Sequence, residues 1–325
     1  MSKQKVIVTG SSGMLGRALC GVLDKDYQVF GIDLENRSGF KKFVKCDITK
    51  RNEVRKVFSA HHPDVVVHAA AFTDVDACES RRKKAKLINT GGTINLARIA
   101  GKMGSIFVFL STDYVFDGRK KRPYLESDKP RPLNFYGRTK LLAENFIRRN
   151  LDKYFIIRTT WLYGKGGKNF INTVIKLSRD RRMIKIVDDQ KGAPTNVMDL
   201  AESIGRLLEK AVARPQQYKG IYNITNSGSC SWYSMAKEIV KKMNLGVKTE
   251  PIKSKELKRP AKRPLNSVLN NNKFKRLVKK PMRNWKDALS AYLIELCAAN
   301  GKNSGKHKRN IDHLNAITKA KVNKG

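Results

Sequence analysis

The chain has 325 residues, 40% of them hydrophobic, and a formal net charge of +39, so it can bury the core of one large domain or of two closely packed ones. No run of about 20 apolar residues occurs, which excludes a transmembrane helix and membrane insertion. The first apolar run, at 6–8, is too short for a signal peptide, so we expect a cytoplasmic protein.

The positive charge lies mainly in four basic runs that are far apart in the chain. Basic proteins bind nucleic acid, acidic membranes or anionic ligands, but the sequence has no recognisable RNA- or DNA-binding motif. We therefore expect charge spread over a solvated surface and no specific nucleic-acid partner. The five cysteines have no metal-ligand spacing, so we expect reduced thiols. The basic runs are 81–84, 119–122, 253–263 and 302–309.

A short apolar run rich in β-branched residues, 5–9, predicts a buried parallel strand, and a helical pattern ending at Leu23 follows. Between them lies a G-x-x-G-x-x-G turn. Such glycines allow a tight turn, close approach of backbone amides to a pyrophosphate, and close packing of helix on sheet. The helix N-terminus also favours anions. We therefore predict a dinucleotide-binding site at Gly10, Gly13, Met14, Leu15 and Gly16.

The second predicted strand, 28–32, ends at Asp33. An acid at this point commonly binds the ribose diol of NAD. Arg37 follows closely and could instead hold the 2′-phosphate of NADP. The sequence therefore predicts NADH or NADPH as the cofactor and leaves the preference open.

Further strands are predicted at 43–45, 64–68 and 106–110. Strands that alternate with helices at this spacing predict an α/β fold, a doubly wound parallel sheet of Rossmann type. Ligands of such sheets bind beyond the carboxyl ends of the strands, and we expect the buried-strand residue His68 to be structural. The residues that follow the strands are Asp47, Ile48, Ala69, Ala70 and Ala71, which we assign to the cofactor, and Thr112 with Asp113 after the fifth strand.

Tyr136 and Lys140 lie four residues apart in a helical pattern that begins near Asn134. Residues at this spacing share one helix face, with Cβ atoms about 5–6 Å apart. A lysine there stabilises a tyrosinate, so we expect Lys140 to lower the pKa of Tyr136 from its ordinary value of about 10. A phenol tuned in this way can give or take a proton near neutral pH.

The later part of the chain predicts two more strands and three helices. The strands are 155–158 and 220–224, and the helices are 169–177, 197–208 and 232–243. Residues 301–325 are rich in Lys and Asn with little apolar pattern, so we expect a disordered basic tail.

The glycine turn, Thr112 and the Tyr136/Lys140 pair occur in the order typical of extended short-chain dehydrogenases/reductases, and the chain resembles that family. Within it, the sequence is most similar to the dTDP-4-dehydrorhamnose reductase family over roughly residues 5–296. The segments that carry this similarity are AAAFTDVD at 69–76, STDYVF at 111–116, RTTWLY at 158–163, DQKGAPT at 189–195 and RPLNS at 263–267.

The resemblance implies reduction of the 4-keto group of dTDP-4-dehydro-β-L-rhamnose by NADH or NADPH. In this scheme Tyr136 donates the proton, Lys140 also holds the nicotinamide ribose, and Thr112 donates a hydrogen bond to the reacting oxygen or to Tyr136. Thr112, Asp113 and Trp161 bind the nucleotide sugar, with Trp161 as an apolar cover. Arg17-Ala18 stand where some bacterial members carry a magnesium-binding glutamate, so we expect no metal and a monomer or homodimer.

The resemblance also implies a dinucleotide-binding domain at 1–160 and a mainly substrate-binding part at 161–300 that is interleaved with it. Two alternatives remain. One is a non-catalytic NADP-binding subunit like the β subunit of methionine adenosyltransferase, which keeps a Tyr and a Lys but lacks a tryptophan at the position of Trp161. The other is a nucleotide-sugar epimerase or dehydratase, although dehydratases usually place an acid pair where this chain has Asp113-Tyr114.

Overall fold

A seven-stranded sheet with only parallel pairs forms the centre of the protein in the computed structural model, which describes residues 3–300. Its strands are rich in Val, Ile and Phe, residue types that suit a pleated surface covered on both sides. The strands in chain order are β1 Lys5–Thr9, β2 Gln28–Asp33, β3 Phe43–Lys45, β4 Val65–His68, β5 Ile106–Thr112, β6 Tyr154–Thr159, β7 Leu162–Tyr163, β8 Met183–Val187, β9 Lys191–Gly192, β10 Thr195–Asn196, β11 Gly220–Asn223, β12 Cys230–Ser231 and β13 Lys248–Ile252.

The strand order of the central sheet is β11-β6-β5-β4-β1-β2-β3. The order reverses at β1, whose Val6 pairs with Val29 of β2 on one side and with Val65 of β4 on the other. Open α/β sheets bind their ligands at such a switch point, beyond the carboxyl ends of the strands. The predicted doubly wound parallel sheet is confirmed.

Helices form the crossovers that parallel strands require. The helix predicted near Asn134 begins at Phe135, because the Asn134 side chain caps it by accepting a hydrogen bond from Gly137 N at 2.8 Å. The helices are α1 Met14–Leu23, α2 Arg51–His61, α3 Val75–Ser80, α4 Arg82–Lys86, α5 Thr93–Lys102, α6 Phe135–Asn150, α7 Phe170–Asp180, α8 Val197–Ala211, α9 Pro215–Tyr218, α10 Trp232–Lys242, α11 Asn272–Val278 and α12 Trp285–Asn300, with a π-helical turn at Leu87–Gly92 and 3₁₀ turns at Asp113–Val115 and Ser254–Glu256.

Strands β5 and β6 extend further than the sequence pattern predicted. β5 continues past residue 110 to Thr112, and β6 begins at Tyr154 and ends at Thr159. The extension follows from pairing, since Thr112 lies in register with Thr159. Thr112 is therefore held at the end of a central strand and not in a loop.

Separate hydrophobic cores cover the two faces of the sheet. Alternate side chains of a strand point to opposite faces, so Val6 and Val8 join the core with α1 and α8, while Ile7 joins the core with α2, α5 and α6. All three side chains are fully buried. Each contributes about 1.5–3 kcal/mol relative to an exposed position.

A third core lies in the later part of the chain and includes Tyr163, Ile171, Met235, Trp285 and Leu293. It is built mainly from α7, α10 and α12 with β8. In contrast, β11 pairs with β6 in the central sheet, and α8 packs against α1. The later half of the chain thus contributes to both the central sheet and the third core. The division at residue 160 stays a prediction.

Within residues 3–300, no helix is long and apolar enough to cross a membrane. The five cysteines are free thiols, and all except the half-buried Cys230 are buried. The predicted basic tail, 301–325, lies outside the described residues.

Candidate active site

The glycine turn joins β1 to α1 with backbone contacts that leave no room for side chains. Gly10 has a φ of 70°, and its N–H donates to Ile32 O at 2.9 Å. A Cβ on Gly10 would lie 2.7 Å from Ala70 N, and a Cβ on Gly16 would lie 1.9 Å from Gly10 O. The turn is therefore a cradle of bare backbone beside Ala70, as close approach to a pyrophosphate requires.

Helix α1 begins beside this cradle with Gly13 as its N-cap, and no side chain caps it. Its first N–H groups are thus free to bind an anion. Ser12 N donates to Asp33 Oδ2 at 3.0 Å, and Leu34 N donates to Asp33 Oδ1 at 2.8 Å. These bonds hold the Asp33 carboxylate against the glycine turn, where the sequence predicted a ribose ligand.

Two arginines lie near the same turn. Arg37 N donates to Ser12 Oγ at 3.1 Å, and the Arg37 guanidinium pairs with Glu35 at 2.7 Å. Arg17 donates to Ser12 O at 3.0 Å and also to Arg37 O. The end of β2 therefore carries a carboxylate suited to a ribose diol and guanidinium groups suited to a 2′-phosphate.

Asp47 and Ile48, which follow β3, are held by local contacts. Asp47 Oδ1 accepts hydrogen bonds from Thr49 N at 2.9 Å and from Thr49 Oγ1 at 2.7 Å. Ile48 packs against Gly92, where a Cβ would lie 2.7 Å from Ile48 Cδ1. The role of both residues in cofactor binding stays a prediction.

His68 ties the ends of β1 and β4 to α5. Thr93 Oγ1 donates to Asn89 O at 2.7 Å, so it accepts from His68 Nε2 at 2.9 Å, and Thr9 Oγ1 donates to Nδ1 at 2.7 Å. Burial lowers the pKa of His68 well below its ordinary value, and the imidazole is neutral. Thr9 Oγ1 in turn accepts from Ala70 N at 3.1 Å. His68 is therefore structural, as predicted, and it positions the Ala69–Ala71 segment.

Thr112 and Tyr136 are brought together at the carboxyl end of β5. Thr112 Oγ1 accepts from Tyr114 N at 3.1 Å and donates to Asp113 Oδ1 at 3.0 Å. Burial is the main cause that raises the pKa of Tyr136, and Asp113 adds to it, whereas a hydrogen bond with Thr112 opposes the shift. Tyr136 is thus a phenol that keeps its proton at neutral pH.

Lys140 lies four residues further along the same helix and is 2% exposed. Its Nζ lies 4.0 Å from the centroid of the Phe109 ring. Burial lowers the pKa of Lys140 to about 7, and Glu144 opposes that shift. The net shift of the Tyr136 pKa is therefore opposite to the lowering that the sequence predicted, because desolvation outweighs the other influences on the phenol.

Helix α6, which carries this pair, is fixed to the sheet by a buried ion pair. Arg158 Nη2 on β6 lies 2.6 Å from Glu144 Oε2, and both side chains are 1% exposed. Ser111 Oγ on β5 donates to Glu144 Oε1 at 2.5 Å. One carboxylate therefore links α6 to both strands whose ends form the site.

Asp113 and Tyr114 lie beside Thr112 and Tyr136, and Arg263 lies near Tyr114. The sequence reasoning assigned no role to Tyr114 or Arg263. Burial raises the pKa of Asp113 to about 7, although hydrogen bonds with Ser267 and Thr112 oppose it. The Tyr114 ring meets the Tyr136 ring edge-on, with centroids 6.3 Å apart. Burial raises the pKa of Tyr114, and the nearby Arg263 guanidinium opposes that shift. The segments STDYVF at 111–116 and RPLNS at 263–267 are far apart in the sequence, and only the fold shows that they lie together here.

Trp161 lies two residues beyond β6 in a left-handed conformation with a φ of 48°. Its ring is stacked on Trp232 with centroids 3.6 Å apart and an angle of 10°. Phe170 also contacts Trp232, with centroids 4.6 Å apart. Since Thr159 pairs with Thr112, Trp161 lies at the edge of the sheet where the sequence predicted a sugar cover. The sequence did not indicate that Trp232 takes part in this site.

Two basic runs that we expected to be separate lie next to this site. Arg263 pairs with Asp76 at 2.7 Å, which links the run ending at Arg263 to α3, directly before the run at 81–84. These two runs therefore lie close together in the fold, and the prediction that the charge as a whole binds no specific nucleic acid stays a prediction. Among residues 3–300, no group of three or more His, Cys, Asp or Glu side chains could hold a metal ion.

A dinucleotide cradle at the switch point, followed by a Thr, Tyr and Lys set, defines a nicotinamide-dependent oxidoreductase of the Rossmann type. The family pattern "RmlD substrate binding domain" matches residues 4–297, and the chain belongs to that family. It is 38% identical to the spore coat polysaccharide biosynthesis protein SpsK of Bacillus subtilis, covering 91% of this chain and 99% of that protein.

Two further relatives carry reductase names. The dTDP-4-dehydrorhamnose reductase of Streptomyces griseus is 38% identical over 91% of this chain and 95% of its own length. The crystal structure of dTDP-4-dehydrorhamnose reductase from Bacillus anthracis in complex with NADP superimposes with a TM-score of 0.82 at 36% identity, over 91% of this chain and 100% of that one.

Proposed function

We propose that the protein transfers a hydride from NADPH or NADH to the 4-keto carbon of dTDP-4-dehydro-β-L-rhamnose and yields dTDP-L-rhamnose, a precursor of surface polysaccharide. The observation that carries this proposal is that Thr112 and Tyr136 both contact Tyr114 at the carboxyl end of β5, while the buried Lys140 lies on the same helix as Tyr136. Family membership and the names of the relatives support the substrate class.

The residues present fit a dinucleotide. Gly10 and Gly16 leave bare backbone for a pyrophosphate, the uncapped start of α1 supplies N–H donors, and Asp33 faces the turn. When bound, the reduced nicotinamide supplies the hydride. The small side chains of Ala69–Ala71, held by Thr9 and His68, would let its flat rings pass closely.

Tyr136 supplies the proton in this scheme. As the carbon–oxygen π bond breaks, its electron pair moves to the oxygen, which takes the Tyr136 proton. We assign to Thr112, which lies beside Tyr136 at the end of β5, a hydrogen bond to the reacting oxygen or to the Tyr136 hydroxyl that orients them. Lys140, on the same helix face, stabilises the tyrosinate that remains and can return a proton to it.

Trp161 and Asp113 would bind the sugar. The stacked Trp161–Trp232 pair offers a flat apolar wall that excludes water. Asp113, which is 3% exposed and next to Thr112, offers a carboxyl group for sugar hydroxyls. We place the reaction in the cytoplasm, where the free thiols stay reduced, and we propose a monomer or homodimer.

The test is to mix the purified protein with NADPH or NADH and the dTDP-4-keto-6-deoxy sugar, and to follow the loss of nicotinamide absorbance with product mass. Matched reactions contain the UDP-linked keto sugar or no sugar. We expect oxidation only with the dTDP sugar. Cofactor binding without turnover of any keto sugar would favour the non-catalytic subunit. A product with inverted configuration at a ring carbon, formed without net oxidation of the cofactor, would favour an epimerase.

A further inference from the structure

The basic rim, defined here as residues 81–86 and 258–263, lies at the start of α6. The two runs are far apart in sequence, but both touch the turn before Tyr136. The Arg82 guanidinium carbon lies 5.3 Å from the centroid of the Phe135 ring. Lys262 O accepts a hydrogen bond from the Asn134 side chain at 2.9 Å.

Asp76 joins the two halves of the rim. It accepts two hydrogen bonds from the Arg263 guanidinium, at 2.8 and 2.7 Å, and one from Ala261 N at 3.1 Å. Arg259 lies 3.9 Å from the same carboxylate. Because Arg263 also lies near Tyr114, whose ring meets the Tyr136 ring edge-on, the rim adjoins the side chains around Tyr136.

Most of the rim charge is not neutralised. Asp76 serves Arg259 and Arg263, and Glu79 pairs with Arg82 at 3.0 Å. Asp74 is used as the N-cap of α3. The cations that are exposed and make no ion pair with any residue of 3–300 are Arg81, Lys83, Lys84, Lys86, Lys258 and Lys262.

The basic run at 119–122 differs from the rim. Lys120 and Arg122 both pair with Asp128, a carboxylate that is 7% exposed. Two of the four cations in this run therefore share one buried carboxylate, whereas six cations of the rim make no ion pair within residues 3–300. This contrast points to the rim as the part of the described surface where free positive charge borders the site.

We infer that the basic rim attracts the diphosphate of the nucleotide-sugar substrate and speeds its entry. This inference rests on the proposed function, because it assigns a role to that same site. Like charges lining one side of a cleft raise the association rate of an oppositely charged ligand by about 10- to 10³-fold, and salt removes the effect. The diphosphate bridge of a nucleotide sugar carries two negative charges and fits this attraction.

The experiment measures association of dTDP by stopped-flow tryptophan fluorescence, so it does not depend on turnover. The rim variant is Lys83→Glu/Lys262→Glu, which changes one lysine in each run. Both lysine side chains are exposed and make no ion pair with any residue of 3–300. The matched control is Arg55→Glu/Lys56→Glu on α2, which packs on α5 and makes the same change in net charge.

For the wild type, we expect the association rate to fall about 10-fold as salt rises from low to high ionic strength. At low salt, the association rate of the rim variant should be about 10-fold lower than that of the wild type, with an unchanged dissociation rate. At high salt, the association rates of the two proteins should converge. The control should stay within about 2-fold of the wild type. Equal rates for rim variant and control, or a change confined to dissociation, would overturn the inference.

A parallel binding measurement with duplex DNA tests nucleic acid as the alternative ligand of the rim. Tight DNA binding at physiological salt that is lost in the rim variant and blocks dTDP would replace the nucleotide sugar with nucleic acid as the rim's ligand, and the inference would fall. If the rim behaves as expected but no keto sugar is reduced, the rim stands and the proposed reaction fails. The two hypotheses are therefore separable.

Discussion

Gly16 and Gly21 lie on the same helix, α1, and the same substitution should act on them in opposite directions. A Cβ on Gly16 would lie 1.9 Å from Gly10 O, where ordinary contacts are 3.4–4 Å, whereas a Cβ on Gly21 would meet nothing within 4 Å. The clash involves backbone on both sides, so α1 must move away from the turn. Such overpacking costs up to about 3 kcal/mol.

Replacing a mid-helix glycine by alanine gains about 0.5–1 kcal/mol from backbone entropy. We therefore expect Gly16→Ala to lower the free energy of unfolding by about 2 kcal/mol and Gly21→Ala to raise it by about 0.5–1 kcal/mol. Urea unfolding followed by circular dichroism measures both. Because the clash lies in the cradle, NADPH affinity should fall at least about 10-fold in Gly16→Ala and stay unchanged in Gly21→Ala. Equal stabilities and affinities for the two variants would refute the close-packing argument.

Three further outcomes test the site. Tyr136→Phe should lower kcat by at least about 10²-fold with little change in NADPH affinity, and near-native turnover would remove Tyr136 from the mechanism. Glu144→Ala leaves Arg158 buried without its partner and should lower the free energy of unfolding by about 3–5 kcal/mol. The control Glu202→Ala breaks the more exposed pair with Arg206 and should lower it by less than about 1 kcal/mol. Similar losses of stability in the two variants would contradict the importance of the buried ion pair. Burial lowers the pKa of Lys140 to about 7, whereas in the unfolded chain it is about 10.4. Between about pH 7 and this unfolded pKa, the unfolded chain therefore binds more protons than the folded protein. The free energy of unfolding should consequently rise with pH in that range. Lys140→Met should lose that rise in denaturant titrations at several pH values, and parallel curves for variant and wild type would argue against a buried amine.

The cofactor half of the fold could be predicted from sequence because its signals are local. A β-branched run such as Lys5–Thr9 followed by glycines at fixed spacing determines a strand, a turn and a helix within a few residues. The order of elements then implies a parallel sheet with its ligand at the carboxyl edge. The position of Asp33 follows from the same logic, since it ends the strand beside the turn.

The contacts missed from sequence depend on distant parts of the chain. Trp232 stacks on Trp161, and Arg263 reaches Tyr114, only because the later half of the chain folds back over the strand ends. The meeting of the two basic runs has the same origin, because Asp76 bridges segments that sequence spacing cannot relate. Motif matching found the segments, but tertiary packing decides which side chains share a site.

The error about Tyr136 shows why spacing alone does not determine a pKa. Helical spacing places a cation near the phenol, and in water that would favour the tyrosinate. In this protein the same burial disfavours both charged forms, raising the pKa of Tyr136 and lowering that of Lys140 to about 7. Tyr136 therefore keeps its proton at neutral pH until negative charge develops on a nearby oxygen. A general acid must hold its proton before the transfer, and the raised pKa of Tyr136 meets that condition. Because transfer is most efficient from a group whose pKa lies near the operating pH, the raised pKa also means that the proton leaves Tyr136 only as the substrate oxygen gains negative charge.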